Sequence, residues 1–316
     1  MIKKLAIGSW AYTFGPYATH PVPLDEVIRR LGALGFDGVE LNGFAPHAHP
    51  DLYPTRDQRR RLVDLLSSNG LQACNYAPDF ETVPPALVST ENYTQVFRRY
   101  LDFCVDCGIP KLRVDTVSAP GTVEVGREPE VLDRVARLWQ RCAQLAEDVG
   151  VLLVWEFEPG FLFNKPSQVL ALVSRVDQAN FQVLFDSCHA HLCATQGARH
   201  AGSPEYVQGG EAAFAAQLHG KIGHVHLIDS DNTLHDRLTS THAPFGTGVL
   251  DFPAIVQAID AAGYDDCWWG ADLCFWPEAW EVTAAAREYM ARLLTARVPI
   301  STPQQLQRSA APANDA

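Results

Sequence analysis

The sequence has no excess of basic residues: among 316 residues, 25 Lys and Arg stand against 37 Asp and Glu, giving a formal net charge of -12. A chain this acidic offers no evident electrostatic footprint for a phosphate backbone, so nucleic acid is disfavoured as a partner. It also lacks any apolar run approaching the roughly 20 residues of a membrane span. The apolar part of Met1 to Gly8 is too short for a secretory leader. No membrane partner is therefore expected, and the expected location is the cytoplasm. The 8 cysteines follow no framework spacing, as suits a reducing compartment. Cys104 and Cys107 have the C-x-x-C spacing of a zinc or redox pair, but no second pair lies near. Both fall within the helical pattern Val96, Phe97, Tyr100, Leu101, so they read as thiols on a buried helix face. Finally, no Gly-x-Gly-x-x-Gly turn follows an early strand, which argues against a doubly wound dinucleotide fold.

What the chain does have is one unit used over and over. An amphipathic helix ends near Gly or Asn, a short apolar run follows, and that run ends in polar residues. Examples are Leu31–Gly35 into Gly38–Asn42, Ser68–Gly70 into Leu71–Asn75, and Asp106–Gly108 into Leu112–Asp115. The pattern continues with Glu147–Gly150 into Val151–Glu156, Gln178–Asn180 into Val183–Asp186, Leu218–Gly220 into Ile222–Asp229, and Ala261–Gly263 into Trp268–Asp272. A first strand, Lys4–Trp10, precedes them all. The glycine suits a helix C-cap in the left-handed conformation. Continuous apolar runs suit strands buried on both faces of a parallel sheet. About eight strands alternating with helices predict an α/β fold, a single-domain (β/α)8 TIM barrel. Its expected extent is residues 1–298. Residues 299–316, rich in Ser, Pro, Ala and Gln, read as a flexible C-terminal tail.

The polar strand ends matter because a barrel builds its active site at that face. They carry Glu40, Asn42, Asn75, Arg113, Asp115, Glu156, Glu158, Asp186, His189, His224, His226, Asp229 and Asp272. Buried carboxylates and imidazoles are costly unless paired or bound to metal. Several converging on one mouth make a single divalent cation the simplest compensation. Asp186 with His226 is the strongest pair, whereas Asp115 or Glu40 alone is equally well read as a salt bridge. Arg59-Arg60-Arg61 reads as a solvated helix face. Trp268 and Trp269 read as barrel packing. Phe275, Trp276 and Trp280 suit either a pocket wall or a contact in a homo-oligomer.

At these residues the sequence resembles the sugar phosphate isomerase/epimerase group of the xylose-isomerase-like barrel superfamily. The resemblance runs from Ile7-Gly8-Ser9-Trp10 to about Trp280. It rests on Gly35–Leu41, Trp155-Glu156-Phe157-Glu158-Pro159-Gly160, Leu184–His189, His224-Val225-His226 and Phe245–Phe252. It implies metal ligands Glu156, Asp186, His226 and Asp272, with Asp272 standing where the family carries a longer Glu. Between Glu156 and Glu158, Glu156 is preferred as ligand and Glu158 is left to the substrate. Three carboxylates and one imidazole suit Mn2+ or Mg2+, with Co2+ and Zn2+ as alternatives.

The expected enzyme is therefore a metal-dependent isomerase or epimerase of a sugar or keto-cyclitol, working through an enediolate, with a dehydratase as the other outcome. Glu156, Glu158 and Asp272 are the expected acid/base groups. His189, Glu40, Asn75, Arg113 and His242 are the expected substrate contacts. The apurinic-site endonuclease branch shares the barrel but carries an Asp-x-His pair before its Gly-x-Gly turn. Here that stretch reads Thr239-Ser240-Thr241-His242-Ala243-Pro244. A metal-free sugar-binding barrel is the remaining alternative.

Overall fold

Apolar runs buried on both faces become the strands of one parallel sheet. In the computed structural model, which describes residues 3–124 and 126–296, these are β1 (Lys4–Ile7), β2 (Gly38–Gly43), β3 (Gln72–Pro78), β4 (Lys111–Val114), β5 (Leu152–Glu156), β6 (Phe181–Asp186) and β7 (Ile222–Leu227). A two-stranded hairpin follows, β8 (Asp229–His235) and β9 (Thr239–Ala243), and β10 (Trp268–Ala271) is the last barrel strand. The sheet order is β1-β10-β7-β6-β5-β4-β3-β2, and a parallel bridge from Gly8 to Glu40 joins the two ends. The architecture is the expected single TIM barrel. The expected tail, 299–316, lies outside the described residues.

One helix shows how a cap and an apolar stripe in the sequence set an element. The helix Thr90–Cys107 starts at Ser89, whose hydroxyl accepts from Asn92 N–H, and stops at Gly108 with φ 65°. It buries Tyr93, Phe97, Tyr100, Leu101 and Cys104, a stripe at helical spacing that faces the sheet. Cys104 and Cys107 are free thiols on that buried side, and burial pushes both upward in pKa. Trp139, Trp155 and Phe181 pack together in the core, with ring centroids 5.6 and 5.7 Å from Trp139.

Two details depart from the sequence reading. Ile222–Asp229 does not run as one strand: β7 ends at Leu227, and Asp229 opens the hairpin. The Asp229 carboxylate accepts backbone N–H groups of Gly246, Gly248 and Leu250 at 2.9, 3.0 and 3.1 Å, which ties the following turn to the hairpin root. Arg59 is not solvated like Arg60 and Arg61. Its guanidinium lies over the Phe103 ring and donates to Asp106 at 2.7 Å. Trp268 and Trp269 are buried as expected. Trp280 stands edge-on to Tyr12 and under the Arg30 guanidinium, while Phe275 faces a cavity at the strand ends.

Candidate metal centre

Parallel register sets the candidate ligands side by side. Asp186, the last residue of β6, pairs in register with His226 of β7, and Gly270 of β10 pairs with His226 from the other side. Glu156 closes β5, next to β6, and Asp272 directly follows β10. Their ligand atoms all lie within 4.8 Å of one another, and all four residues are buried. His226 Nδ1 is 3.0 Å from Glu156 Oε1, 3.7 Å from Asp272 Oδ2 and 3.9 Å from Asp186 Oδ2. Of the two glutamates on this segment, it is Glu156 whose carboxylate joins the cluster.

Each of these groups is also held from outside. Trp10 Nε1 donates to Asp272 Oδ1 at 2.8 Å, and Cys274 N–H donates to the same oxygen at 2.8 Å. Asp186 Oδ1 accepts His189 N–H at 2.8 Å, capping the short helix Ser187–His191. The Arg113 guanidinium is clamped between Glu156 and Asp115. His226 presents its other nitrogen, Nε2, to Glu40 Oε2 at 2.9 Å. Glu40 Oε2 also lies 3.1 Å from His224 Nε2 and accepts from Asn75 Nδ2 at 2.8 Å. Gly270 makes this possible: a Cβ there would overlap Glu40 Oε1 and lie 2.9 Å from His226 Cδ2.

The electrostatics are those of crowded carboxylates out of water. Burial and the neighbouring Asp272 push Asp186 up to about 7, although His242 pulls the other way. Against the upward push of burial, Arg113 and His226 hold Glu156 below the usual carboxylate range. Asp272 is likewise held low, His242 and His226 outweighing burial. Burial and Glu156 raise Glu158 to about 7, despite the bond that Thr239 donates to it. Burial lowers His189 to about 3, helped by His242.

The residues fit a divalent cation. Asp186 Oδ2 is buried, points into the cluster, and has no hydrogen-bond partner among the described residues. An unpaired buried carboxylate oxygen is costly unless a cation meets it. Three carboxylates and an imidazole whose far nitrogen faces a carboxylate form the arrangement that orients a metal-bound histidine.

Above the cluster opens a cavity of about 540 Å3. Glu156, Glu158, Arg113, His189, His242 and Asp272 all line it. His189 Nε2 is 3.8 Å from Glu158 Oε2, and His189 Nδ1 is 2.7 Å from Ser240 Oγ. His242 Nδ1 is 3.3 Å from Asp272 Oδ1. Glu40 and Asn75, expected at the substrate, lie instead on the far side of the His226 ring, fully buried and outside the cavity wall. The period-2 pleat placed them at strand ends but not at the right depth. The first strand stops at Ile7, short of Trp10, which lies in the turn Ser9–Tyr12, lines the cavity and steadies Asp272. An aromatic ring with a polar handle at a strand end is the signal that marked it.

Comparison with known proteins bears on the barrel as a whole. A family model described as xylose isomerase-like TIM barrel matches residues 28–292. Fructoselysine 3-epimerase of Shigella flexneri is 23% identical over 259 residues, covering 77% of this chain and 83% of that protein. Inosose dehydratase of Geobacillus thermodenitrificans (strain NG80-2) is 23% identical over 290 residues, covering 83% and 87%. Among solved structures, the IOLI protein with a binding zinc atom superposes with TM-score 0.70 at 16% identity, covering 94% of this chain and 100% of that one.

Proposed function

This chain belongs to the xylose isomerase-like TIM barrel family, and from that premise we propose that it is a metal-dependent isomerase or epimerase of a sugar or keto-cyclitol. The observation that carries the reading is the convergence of Glu156, Asp186, His226 and Asp272, from four separate strand ends, within 4.8 Å of one another. These four side chains would hold the ion. The oxygen-rich set suits Mn2+ or Mg2+, and the imidazole also admits Co2+ or Zn2+. A bound divalent ion supplies Lewis-acid polarisation of a substrate carbonyl and offsets the charge that develops when the neighbouring proton leaves.

The chain's own groups then divide the work. His189, Arg113 and His242 line the cavity and would hold substrate oxygens in place. Glu158 stands outside the four-atom cluster but on the cavity wall, which suits a carboxylate that takes or returns a carbon-bound proton. Asp272, fixed by Trp10 and the Cys274 amide, stands on another strand and suits the second proton position. Glu156 is the alternative to Glu158 in this pair. A proton taken by one carboxylate leaves the substrate as an enediolate. Return to the opposite face of the same carbon gives the epimer, and return to the adjacent carbon gives the isomer.

A second reading is supported by the likeness to inosose dehydratase. The same proton abstraction, followed by departure of a β-hydroxyl, makes the enzyme a dehydratase. Both readings share a cytoplasmic small-molecule enzyme. Among the described residues no helix is long and apolar enough to cross a membrane.

The test is isotope exchange. Metal-loaded protein incubated in deuterated water with a panel of ketoses and inososes should place deuterium on the carbon next to the carbonyl. Loss of a hydroxyl rather than epimerisation selects the dehydratase. Glu156→Ala and Asp186→Ala should lose exchange together with bound metal, read by elemental analysis. Exchange that persists in both variants rejects the assigned centre.

A further inference from the structure

The cavity gathers its acid, base and imidazole groups at the strand ends, and its loops add the charged residues Glu81, Arg199 and Asp236. Beside those charged residues the wall presents Phe14, Phe44, His235, Leu238 and Phe275, contributed by loops and the β8–β9 hairpin. His235 stacks on Phe275 with ring centroids 4.5 Å apart and planes at 10°. Phe14 stacks on the same Phe275 at 6.1 Å and 24°, and Phe44 meets Phe14 edge-on at 5.1 Å. These rings are only half buried, and Leu238 is 55% exposed. Phe275 sits at φ 65°, with Asp236 and Arg237 at 47° and 61°. Side chains of this size rarely adopt that conformation, and such strain concentrates where a ligand is clamped.

A cavity of about 540 Å3 lies within the range that takes a drug-sized ligand. An unsubstituted monosaccharide can lay the C–H face of its ring on one aromatic side chain, but it leaves the rest of a four-ring wall in water, and contiguous apolar wall left to water is unfavourable. The geometry points to a substrate that carries an aryl substituent on its sugar or cyclitol head. The head lies at Glu156, Glu158 and Asp272, and the substituent lies between Phe14, Phe44, His235, Leu238 and Phe275. Planar rings prefer offset or edge contact with other rings, which is the arrangement this wall already adopts. The assignment rests on the reading of the floor as a sugar site, but it makes a separate claim about the wall.

The two claims separate with a matched pair of probes: D-fructose and 1-anilino-1-deoxy-D-fructose, which shares the ketose and adds a phenyl ring. With Mn2+-loaded full-length protein, calorimetry gives both dissociation constants, and deuterium uptake gives both kcat/KM values. The aryl probe should bind ten- to a hundredfold tighter, the gain expected from burying one aromatic ring. In the Phe14→Ala/Phe275→Ala variant the ratio of the two constants should fall at least fivefold. Leu238→Ser, at an exposed position, provides the same readout should the double variant fail to fold.

Equal affinity for the two probes, no measurable binding of the aryl probe, or a ratio unchanged by the substitutions overturns the wall assignment. A large aryl preference without deuterium uptake from either probe supports the wall and rejects the chemistry proposed for the floor. Deuterium uptake at equal kcat/KM for both does the reverse.

Discussion

Replacing Glu40 by Gln should weaken metal binding, although Glu40 is not itself one of the four converging ligands. Glu40 Oε2 takes His226 Nε2 at 2.9 Å, lies 3.1 Å from His224 Nε2, and accepts Asn75 Nδ2 at 2.8 Å. An anion here keeps the proton of His226 on Nε2, so that Nδ1 can offer its lone pair to the cluster. Gln keeps the shape but removes the charge. A hydrogen bond to a charged group contributes about 1.5–3 kcal/mol net, and a neutral one less. The tautomer with its proton on Nδ1 then gains population, and that proton sits where the cation must bind. Loss of such a supporting carboxylate typically costs about 10- to 100-fold in metal affinity. That range corresponds to about 1.4–2.7 kcal/mol. Calorimetric titration of apo protein with Mn2+ measures it directly, with circular dichroism confirming that Glu40→Gln is folded. A dissociation constant within twofold of the unmodified protein, while His226→Ala abolishes binding, would refute the argument.

Three further outcomes follow from the same geometry. Gly270→Ala places a methyl group on Glu40 Oε1 and against His226 Cδ2, so it should lower Mn2+ affinity as Glu40→Gln does, in the same titration. Removing metal with a chelator should lower the unfolding midpoint in scanning calorimetry. At a free Mn2+ concentration of 100 times Kd the ion adds about 2.7 kcal/mol, and coincident melting curves would contradict a site built into the native state. Gly248→Ala puts a Cβ into the Ser230 carbonyl and the Asp229 carboxylate, breaking the tie at the hairpin root. A loss of about 1–3 kcal/mol is expected, read from urea unfolding.

The barrel was legible because its strands are buried on both faces and therefore appear as unbroken apolar runs, as in Val183-Leu184-Phe185. The four converging residues were legible for a related reason. A carboxylate or imidazole that ends such a run, as Glu156, Asp186 and His226 do, stands out against its neighbours. Depth was not legible. Glu40 and Asp186 both stand in apolar strands, yet Asp186 faces the cluster and Glu40 supports a ligand from behind, a difference set by tertiary packing around Gly270. The hairpin was missed because Asp229-Ser230-Asp231-Asn232-Thr233 has no apolar alternation to reveal a strand. Phe14, Phe44 and Phe275 come from loops with no period, so nothing in their spacing announced that they would meet. The burial of Arg59 is not legible because its partner Asp106 belongs to another helix, 47 positions away.

The residues that would grip the ion sit on β5, β6, β7 and just past β10, whereas His235 and Leu238 of the wall hang on a hairpin anchored through Asp229. Part of the fit is thus housed apart from the grip. Exchanging the tip of that hairpin, residues 231–238, would redesign what the mouth admits while the load-carrying barrel keeps its register. This makes the scaffold a convenient chassis for retuning selectivity by grafting one short segment.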